Sequence, residues 1–267
     1  MIISINGIGC WGEGLHGWEE TKAILQGQAQ HDRTSLKLPP PESLPANERR
    51  RASQVIRLAI LCAEEACQQA GCHAGELPAI FASSNGDGYI INRILNSLAS
   101  PTGAVSPSLF HNSVHNAPAG YWMISHKSHQ PAVSLGLYDE TLSATLLKAA
   151  AEAYAEEKPV LFCIYDAPIP GSLGTIRRTG SSFGCAFILT PASGPGPMGQ
   201  LALSLKEGQC TDDPFTSLPE SLADMARHNP AAQILPLLQA IAQGQDLSFS
   251  LPYGANHLTI DLTHAHP

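Results

Sequence analysis

Three short, nearly uninterrupted apolar runs constrain the fold of this chain more than any other feature of its sequence. They are LPAIFA at 77–82, VLFCIY at 160–165 and SFGCAFIL at 182–189. A strand with one face in water alternates apolar and polar residues, whereas a strand covered on both faces is apolar throughout. These runs therefore predict buried strands, and the helical stretches between them predict a layered α/β fold.

The remaining segments fit the same alternation of strands and helices. Residues 46–70 predict one long helix, with apolar residues on one face and a glycine at its end. An alanine-rich helix is predicted at 139–155, with Asp139 as its N-cap. Further strands are predicted at 1–9, 131–135, 200–205, 246–251 and 257–262, and further helices at 18–25, 89–98, 217–227 and 231–243. Segment 190–199 is a Pro/Gly-rich connector. Because the connectors are too short to be clear linkers between domains, we predict a single domain over 1–267.

The chain is acidic, because 15 Lys and Arg against 23 Asp and Glu give a formal net charge of -8. Nucleic acids and anionic membranes bind basic surfaces, so neither is expected as a partner. The exception is the basic run Arg49, Arg50 and Arg51, which is either a solvated helix start or a docking site for an acidic partner. No apolar run approaches the ~20 residues of a membrane span, and the N-terminus lacks a signal-peptide pattern, so a cytoplasmic protein is expected.

Seven cysteines are distributed along the chain. Their number is odd and most lie in apolar stretches, which is typical of free thiols in a reducing compartment. Cys67, Cys72 and His73 are close in sequence, but the chain has no CxxC pair, the usual spacing of a metal site. We therefore predict neither a metal site nor a cofactor.

Four strings resemble the N-terminal half of the β-ketoacyl synthases, which have the thiolase-like fold. They are INGIG at 5–9, RRRAS…AEEACQQAG at 49–71, FASSNGDG at 81–88 and SPSLFHNSVHNAPAGYWMIS at 106–125. The last is the most specific, because its SVHNAPAGYW core is similar to a string in the chain length factors of aryl polyene clusters. The resemblance implies a recognisable N-terminal thiolase half over 1–190 and a truncated, degenerate C-terminal half over 191–267.

The resemblance also implies that this chain has lost the catalytic residues of the family. An active synthase places a cysteine at a strand-to-helix turn, where the helix N-terminus lowers the pKa of the thiol and favours the nucleophilic thiolate. The matching stretch here is 132–140, which contains no thiol, and the position of the nucleophile falls at or next to Leu137. Active synthases use two histidines and a lysine in their C-terminal half, and no histidine after residue 200 lies in a similar motif.

A partner protein follows from the same resemblance. A chain length factor forms a heterodimer with an active β-ketoacyl synthase, so the acyl carrier protein binds mainly to that partner and this chain shapes the acyl tunnel. In the family, the strand matching 131–135 pairs across the dimer, and an unpaired apolar strand edge is an aggregation hazard in any protein. The residues predicted at the tunnel or interface are Ser113, His115, Asn116, Tyr121, Trp122, Leu137 and Tyr138, with Arg49, Arg50 and Arg51 as the candidate docking site for the carrier protein.

Two other functions remain open on the sequence. One is a small acyltransferase or thioesterase in which Cys163, or Ser113 with His115, replaces the lost nucleophile. The other is a homodimeric module that binds acyl carrier protein or coenzyme A. The chain has no GxSxG motif, which argues against a serine hydrolase. A second interpretation of Tyr121 and Trp122 is a locally buried aromatic pair.

Overall fold

The computed structural model describes residues 1–192, 197–210 and 213–264 of the chain. The α-helices of these residues are α1 Trp18–Leu25, α2 Ala46–Arg51, α3 Gln54–Ala70, α4 Gly88–Leu98, α5 Pro107–Asn112, α6 Ala117–His126, α7 Thr141–Glu156, α8 Ser172–Ile176, α9 Glu220–His228 and α10 Leu235–Gln243. The strands are β1 Ile2–Gly12, β2 Leu15–His16, β3 Ala79–Ala82, β4 Ala132–Leu135, β5 Val160–Asp166, β6 Phe183–Pro191, β7 Gln200–Glu207, β8 Leu247–Tyr253 and β9 Asn256–Thr263. Short 3₁₀ turns occupy Ala74–Glu76, Tyr138–Glu140 and Pro230–Ile234.

All the strands belong to one mixed sheet, in the order β4-β3-β5-β6-β1-β7-β9-β8, with β2 paired to β1. β3 runs parallel to both of its neighbours, β4 and β5. Every other pairing is antiparallel. The carboxyl ends of β3, β4 and β5 therefore meet at one edge of the sheet, where α/β proteins commonly form their sites. β4 ends the sheet on this side.

Helices cover both faces of the sheet, which explains the continuous apolar runs. Successive side chains of a strand point to opposite faces. In β5, Leu161, Cys163 and Tyr165 join a core cluster with α3 and α6, whereas Phe162 and Ile164 join a second cluster with α1, α7, α9 and α10. The result is a three-layer α/β/α arrangement, which confirms the layered fold that the sequence predicts.

The close packing of α3 on β1 explains the Gly-x-Gly of the first strand. A Cβ atom added at Gly9 would lie 1.9 Å from the carbonyl oxygen of Cys62 in α3, and one at Gly7 would lie 2.2 Å from that of Ala66. On the side away from β6, β7 pairs with Ile2, Ile3 and Ser4 and β2 pairs with Trp11 and Gly12, so the middle of β1 has no strand neighbour there. α3 supplies a hydrogen-bond partner for this part of β1, since Glu65 accepts a hydrogen bond from the N–H of Cys10 at 3.0 Å.

Two helix predictions need correction. The predicted helix 46–70 is divided into α2 and α3 because Ser53 is an N-cap: its Oγ accepts a hydrogen bond from the N–H of Ile56 at 3.2 Å. Asp139 is not the N-cap of α7, since that position is Glu140 and its side chain makes no cap bond. Asp139 lies in the preceding 3₁₀ turn and pairs with Arg177 at 2.5 Å.

The chain after residue 197 extends the same sheet instead of forming a second one. β7, β9 and β8 are added beyond β1, and α9 and α10 pack in the core cluster that also contains α1 and α7. The predicted strands and helices of this region are present, although the helix predicted at 217–227 begins at Glu220. Part of the predicted connector, 193–196, lies outside the described residues.

Candidate functional site

The turns that follow β3, β4 and β5 form the candidate site. They contain residues 83–87, 136–140 and 167–171, which the parallel register of the three strands brings together. Tight backbone contact holds the first two turns close, because a Cβ atom at Gly136 would lie 2.7 Å from the carbonyl oxygen of Ser83. This is the position at which the sequence places the lost nucleophile.

Asp166, the last residue of β5, is a fully buried carboxylate at the centre of the site. Its Oδ1 accepts hydrogen bonds from the Ser83 hydroxyl at 2.8 Å and the Asn85 N–H at 3.0 Å, and its Oδ2 accepts one from the Ser84 N–H at 3.2 Å. Burial raises the pKa of Asp166 to about 6, and these hydrogen bonds and the charge of Arg177 limit the rise. The carboxylate fixes the turn after β3.

The turn after β4 is strained at Tyr138. Its φ of 57° lies in the left-handed region, which a residue with a bulky side chain rarely adopts. The N–H of Leu137 donates to Thr141 Oγ1 at 2.9 Å, and the hydroxyl of Ser84 donates to the carbonyl of Tyr138 at 2.5 Å. The predicted position Leu137 is 43% exposed and Tyr138 is 64% exposed. Tyr138, one residue further on, therefore forms the tip of the turn.

Arg177 connects the turns after β3 and β4, and sequence reasoning missed it. Its guanidinium lies 3.8 Å from the centroid of the Tyr138 ring, pairs with Asp139, and donates to Asn85 Oδ1 at 2.9 Å and to Ser84 Oγ at 2.5 Å. A guanidinium stacked on an aromatic face is a favourable contact. A polar residue ending an apolar run, as Asp166 does, was the only signal in the sequence for this network.

The structure brings one member of the SVHNAPAGYW string to the site. The Nε2 of His115 donates to the carbonyl of Ser83 at 2.9 Å. Ser113 does not reach the site, because its hydroxyl donates to the carbonyl of Phe110 in its own helix. Asn116 is exposed at the start of α6 and its side chain makes no cap bond. Ser113 and His115 thus form hydrogen bonds with different carbonyls, whereas a nucleophile and its base would be hydrogen-bonded to each other.

Tyr121 and Trp122 are buried within the chain, and their place at the tunnel or interface stays a prediction. Trp122 is only 1% exposed and packs against Phe81 and His126, with ring centroids 6.0 and 4.1 Å away. Tyr121 is also buried, and its hydroxyl donates to Asn112 Oδ1 at 3.1 Å. Both rings are covered by the chain's own α3 and β3, which agrees with the alternative interpretation of a buried aromatic pair.

The three arginines of the basic run differ in their surroundings. Arg49 donates to the carbonyl of Leu44 at 2.9 Å and is engaged within its own loop. Arg50 and Arg51 are exposed and line a cleft of about 1110 Å³ together with Arg33 and Arg93. Four guanidinium groups thus surround one concavity on an acidic chain.

Cys163 lacks the environment of a nucleophile. It is fully buried in β5, its thiol donates to the carbonyl of Ala59 at 3.5 Å, and burial raises its pKa above the ordinary value. A raised pKa disfavours the thiolate, which is the reactive form. This removes the cysteine candidate for a displaced active site.

No three or more His, Cys, Asp or Glu side chains lie together in a way that could hold a metal ion within 1–192, 197–210 and 213–264. In the same ranges, none of the helices is long and apolar enough to cross a membrane.

The fold is that of the thiolase-like β-ketoacyl synthases. The chain belongs to this family: the model of the β-ketoacyl synthase N-terminal domain matches residues 18–248. No curated protein gives a match.

Solved structures agree on the fold. A complex of a ketosynthase with its chain length factor from Xenorhabdus doucetiae superposes with a TM-score of 0.71 at 22% identity, over 98% of this chain and 99% of that chain. The ishigamide ketosynthase/chain length factor gives 0.74 at 10% identity over 100% of both chains. A type II polyketide synthase acyl-carrier protein in complex with its ketosynthase bound to the hexaketide gives 0.75 at 8% identity, over 98% and 99%.

Proposed function

We propose that this chain is a non-catalytic, chain-length-factor-like subunit that pairs with an active β-ketoacyl synthase and shapes its acyl tunnel. The observation that supports this most is the open edge at β4. β4 has a single strand neighbour, β3, and no other strand in the described part of the chain pairs with its other side. A free strand edge is a template for another chain, and folded proteins normally protect it.

The hydrogen-bond register identifies the free groups of β4. The carbonyls of Pro131 and Leu135 accept from the β3 side, from the N–H groups of Ala79 and Ser83. In a strand, the backbone groups of alternate residues point to opposite sides. Ala132 and Ser134 therefore direct their N–H and C=O groups away from β3, toward the place of a partner strand.

An apolar surface accompanies this edge. Nine of the fourteen large apolar side chains exposed in the described residues fall between 89 and 138, a segment that includes α4, α5, α6 and β4. They are Tyr89, Leu95, Leu98, Phe110, Val114, Met123, Ile124, Leu137 and Tyr138. α4 is the clearest case, since only Gly88 and Ile90 of its residues are buried. Exposed large apolar side chains concentrated in one segment favour a protein interface there.

The candidate site supports the absence of catalysis. The turns at 83–87, 136–140 and 167–171 contain no cysteine. A thiol at the tip of the strained turn would be the nucleophile of an active synthase, and this chain has Tyr138 there. Arg177 stacks on the Tyr138 ring, and both Arg177 and the buried Asp166 form hydrogen bonds with the turn after β3.

The superposed structures support the partner class. Two of them are named as complexes or pairs of a ketosynthase and a chain length factor, and a third contains an acyl-carrier protein. By extension, the partner supplies the cysteine and the histidines, and no cofactor is needed. The acyl carrier protein binds mainly to the partner, and Arg50 and Arg51, at the basic cleft, are the residues of this chain suited to contact it. The SVHNAPAGYW string supports a polyene product.

Co-expression tests the proposal. The chain is produced with each active β-ketoacyl synthase of its source genome in turn, and one of them is expected to co-purify in a 1:1 complex that condenses acyl thioesters. Replacing the partner's catalytic cysteine should abolish condensation. A chain that stays monomeric with every synthase, and that hydrolyses acyl thioesters alone, would overturn the proposal in favour of a displaced active site.

A matched pair of surface variants tests the interface. Leu98→Glu introduces a charge on α4, where we expect it to weaken the complex at least tenfold because a buried unpaired carboxylate is costly. Leu205→Glu changes an equally exposed leucine on β7, far along the sheet from β4, and should leave the complex intact. Equal effects of the two variants would contradict the placement. A concentration-dependent dimer of this chain alone, weakened only by Leu98→Glu, would favour the homodimeric alternative.

A further inference from the structure

The C-terminal end of α3 brings two cysteines together. Gly71 follows the helix with φ 64°, in the left-handed region. The N–H of Cys72 donates to the carbonyl of Cys67 at 3.1 Å, and the N–H of Gly71 donates to that of Gln68 at 3.2 Å. This pair of bonds is the Schellman motif, in which the side chains of the first and sixth residues meet across the helix end. In this chain those two residues are both cysteines.

The side chains meet as the motif requires. The thiol of Cys72 donates to the carbonyl of Cys67, with the Sγ 3.6 Å from that oxygen. Cys67 is buried in the cluster between α3 and the sheet, whereas Cys72 is half-buried at the edge of that cluster. A reagent in solvent thus reaches Cys72 first, and Cys67 lies directly behind it.

We propose that Cys67 and Cys72 form a reversible disulfide within this chain, a modification site that closes the last turn of α3. The inference does not depend on the proposed function. The buried thiols of Cys10, Cys163 and Cys185 are covered by the core and are not available to an oxidant. The Cys67–Cys72 pair combines an accessible sulfur with a second cysteine that the hydrogen bonds of the helix end hold beside it, and a disulfide needs two neighbouring cysteines.

The reaction proceeds by thiol–disulfide exchange with a small disulfide such as oxidised glutathione. The Cys72 thiolate attacks one glutathione sulfur, forms a mixed disulfide and releases the first glutathione as a thiolate. The Cys67 sulfur, once deprotonated, then attacks the Cys72 sulfur and releases the second. Two protein thiols are oxidised, one glutathione disulfide is reduced, and the two protons end on the two glutathione thiolates.

The acidity of the two thiols fits this order. The hydrogen bond from Cys67 lowers the pKa of Cys72 below the ordinary value of a thiol. The same bond, together with burial, raises the pKa of Cys67. Because the thiolate is the attacking species, Cys72 is the first sulfur to react.

Mass spectrometry of the full chain tests the proposal. The protein is equilibrated in glutathione buffers of increasing oxidation, quenched with acid, and alkylated after unfolding. Glutamyl endopeptidase then cleaves after Glu65 and Glu76 and releases peptide 66–76, which contains Cys67 and Cys72 and no other cysteine. We expect this peptide to lose two hydrogen atoms and to escape alkylation in oxidising buffer, and to take two alkyl groups after dithiothreitol.

Two serine variants provide the comparison. Cys72→Ser removes the half-buried sulfur, so peptide 66–76 should show no internal bridge. Cys210→Ser changes the other half-buried cysteine, on a different loop, and should leave the bridge unchanged. The proposal fails if wild-type peptide 66–76 is doubly alkylated in every buffer, or if Cys67 is instead found bridged to Cys62. The wild-type result decides the matter even if a variant folds poorly.

Discussion

At the residue scale, the buried carboxyl group of Asp166 gives the protein a pH-dependent stability. Its pKa rises from 3.8 to about 6 on folding, chiefly through burial. Between about pH 4 and pH 6 the folded chain therefore keeps a proton that the unfolded chain has lost. Stability then falls as the pH rises through this window, by about 3 kcal/mol in total, since each pKa unit corresponds to about 1.4 kcal/mol.

Asp166→Asn tests this directly, because the amide does not titrate. Urea unfolding at a series of pH values should show the decrease between pH 4 and 6 in the wild-type protein and a flatter profile in the variant. The free energy of unfolding of the variant should be lower by about 1–3 kcal/mol at every pH, since its NH₂ group replaces an oxygen that accepts a hydrogen bond. Asp213→Asn, at an exposed carboxyl whose pKa is lowered, should retain the decrease. Identical profiles for the wild type and Asp166→Asn would refute the assignment.

The strained backbone at Tyr138 makes a second prediction at this scale. Glycine adopts positive φ without strain, so Tyr138→Gly relieves the backbone while losing the stack with Arg177, and its net effect should stay within about 0.5 kcal/mol. Tyr138→Ala keeps the strain and loses the stack, so it should be about 1 kcal/mol less stable than Tyr138→Gly in urea unfolding.

Glu157 is the matched control for this pair of variants. It has a similar φ of 52° at the end of α7 but no aromatic stack. Glu157→Gly should therefore be more stable than the wild type, by about 0.5–1 kcal/mol. If glycine and alanine are equivalent at Tyr138, the turn after β4 is not left-handed in solution.

At the scale of elements, β4 can be blocked without unfolding the sheet. Proline lacks an N–H and is tolerated on an edge strand when that group would point outward. Ser134 directs its N–H away from β3, so Ser134→Pro should preserve stability within about 1 kcal/mol and abolish pairing with the synthase partner. Size-exclusion chromatography of the co-expressed proteins measures the loss of the complex.

Neighbouring substitutions make this test specific. Ser134→Ala keeps the N–H and should preserve the complex. Val133→Pro removes a group that faces β3 and should destabilise the protein by about 3 kcal/mol or more. A complex that forms normally with Ser134→Pro would mean that the partner does not add a strand to β4.

Some of the helices and strands could be predicted from sequence patterns, and others could not. The strands that are covered on both faces were predictable, because double burial leaves a continuous apolar run, as in β5. The break between α2 and α3 was not, since Ser53 is a single capping residue inside an otherwise helical pattern. The sequence analysis predicts no helix at α5 or α6, although each has proline in its first turn, a recognised helix start.

The site was less accessible to sequence reasoning than the fold. The turn after β4 could be located to within one residue, because the family resemblance fixes its position near Leu137. The network around it could not, because the turns after β3 and β4 are distant in sequence from Asp166 and Arg177 and meet them only through the strand order. The orientation of Tyr121 and Trp122 was also undetermined, since aromatic residues serve both cores and interfaces.

At the scale of the whole molecule, stability should be unevenly distributed until a partner binds. β5 and β6 each have strand neighbours on both sides and are covered by helices on both faces. Their amide hydrogens should exchange only through global unfolding. α4 buries little of its surface and the outward N–H groups of β4 have no strand partner, so peptides from 88–98 and 132–135 should exchange fastest among the regular elements.

Hydrogen exchange followed by mass spectrometry measures this distribution. For the chain alone we expect slow exchange over 160–166 and 183–189 and fast exchange over 88–98 and 132–135. Addition of the synthase partner should slow the second group by at least tenfold and leave β8 and β9, at the opposite edge, unchanged. Protection of 132–135 in the chain alone, increasing with its concentration, would instead indicate a homodimer. Protection that appears at β8 on addition of the partner would move the interface to the other edge of the sheet, and the open edge at β4 would then need a different explanation.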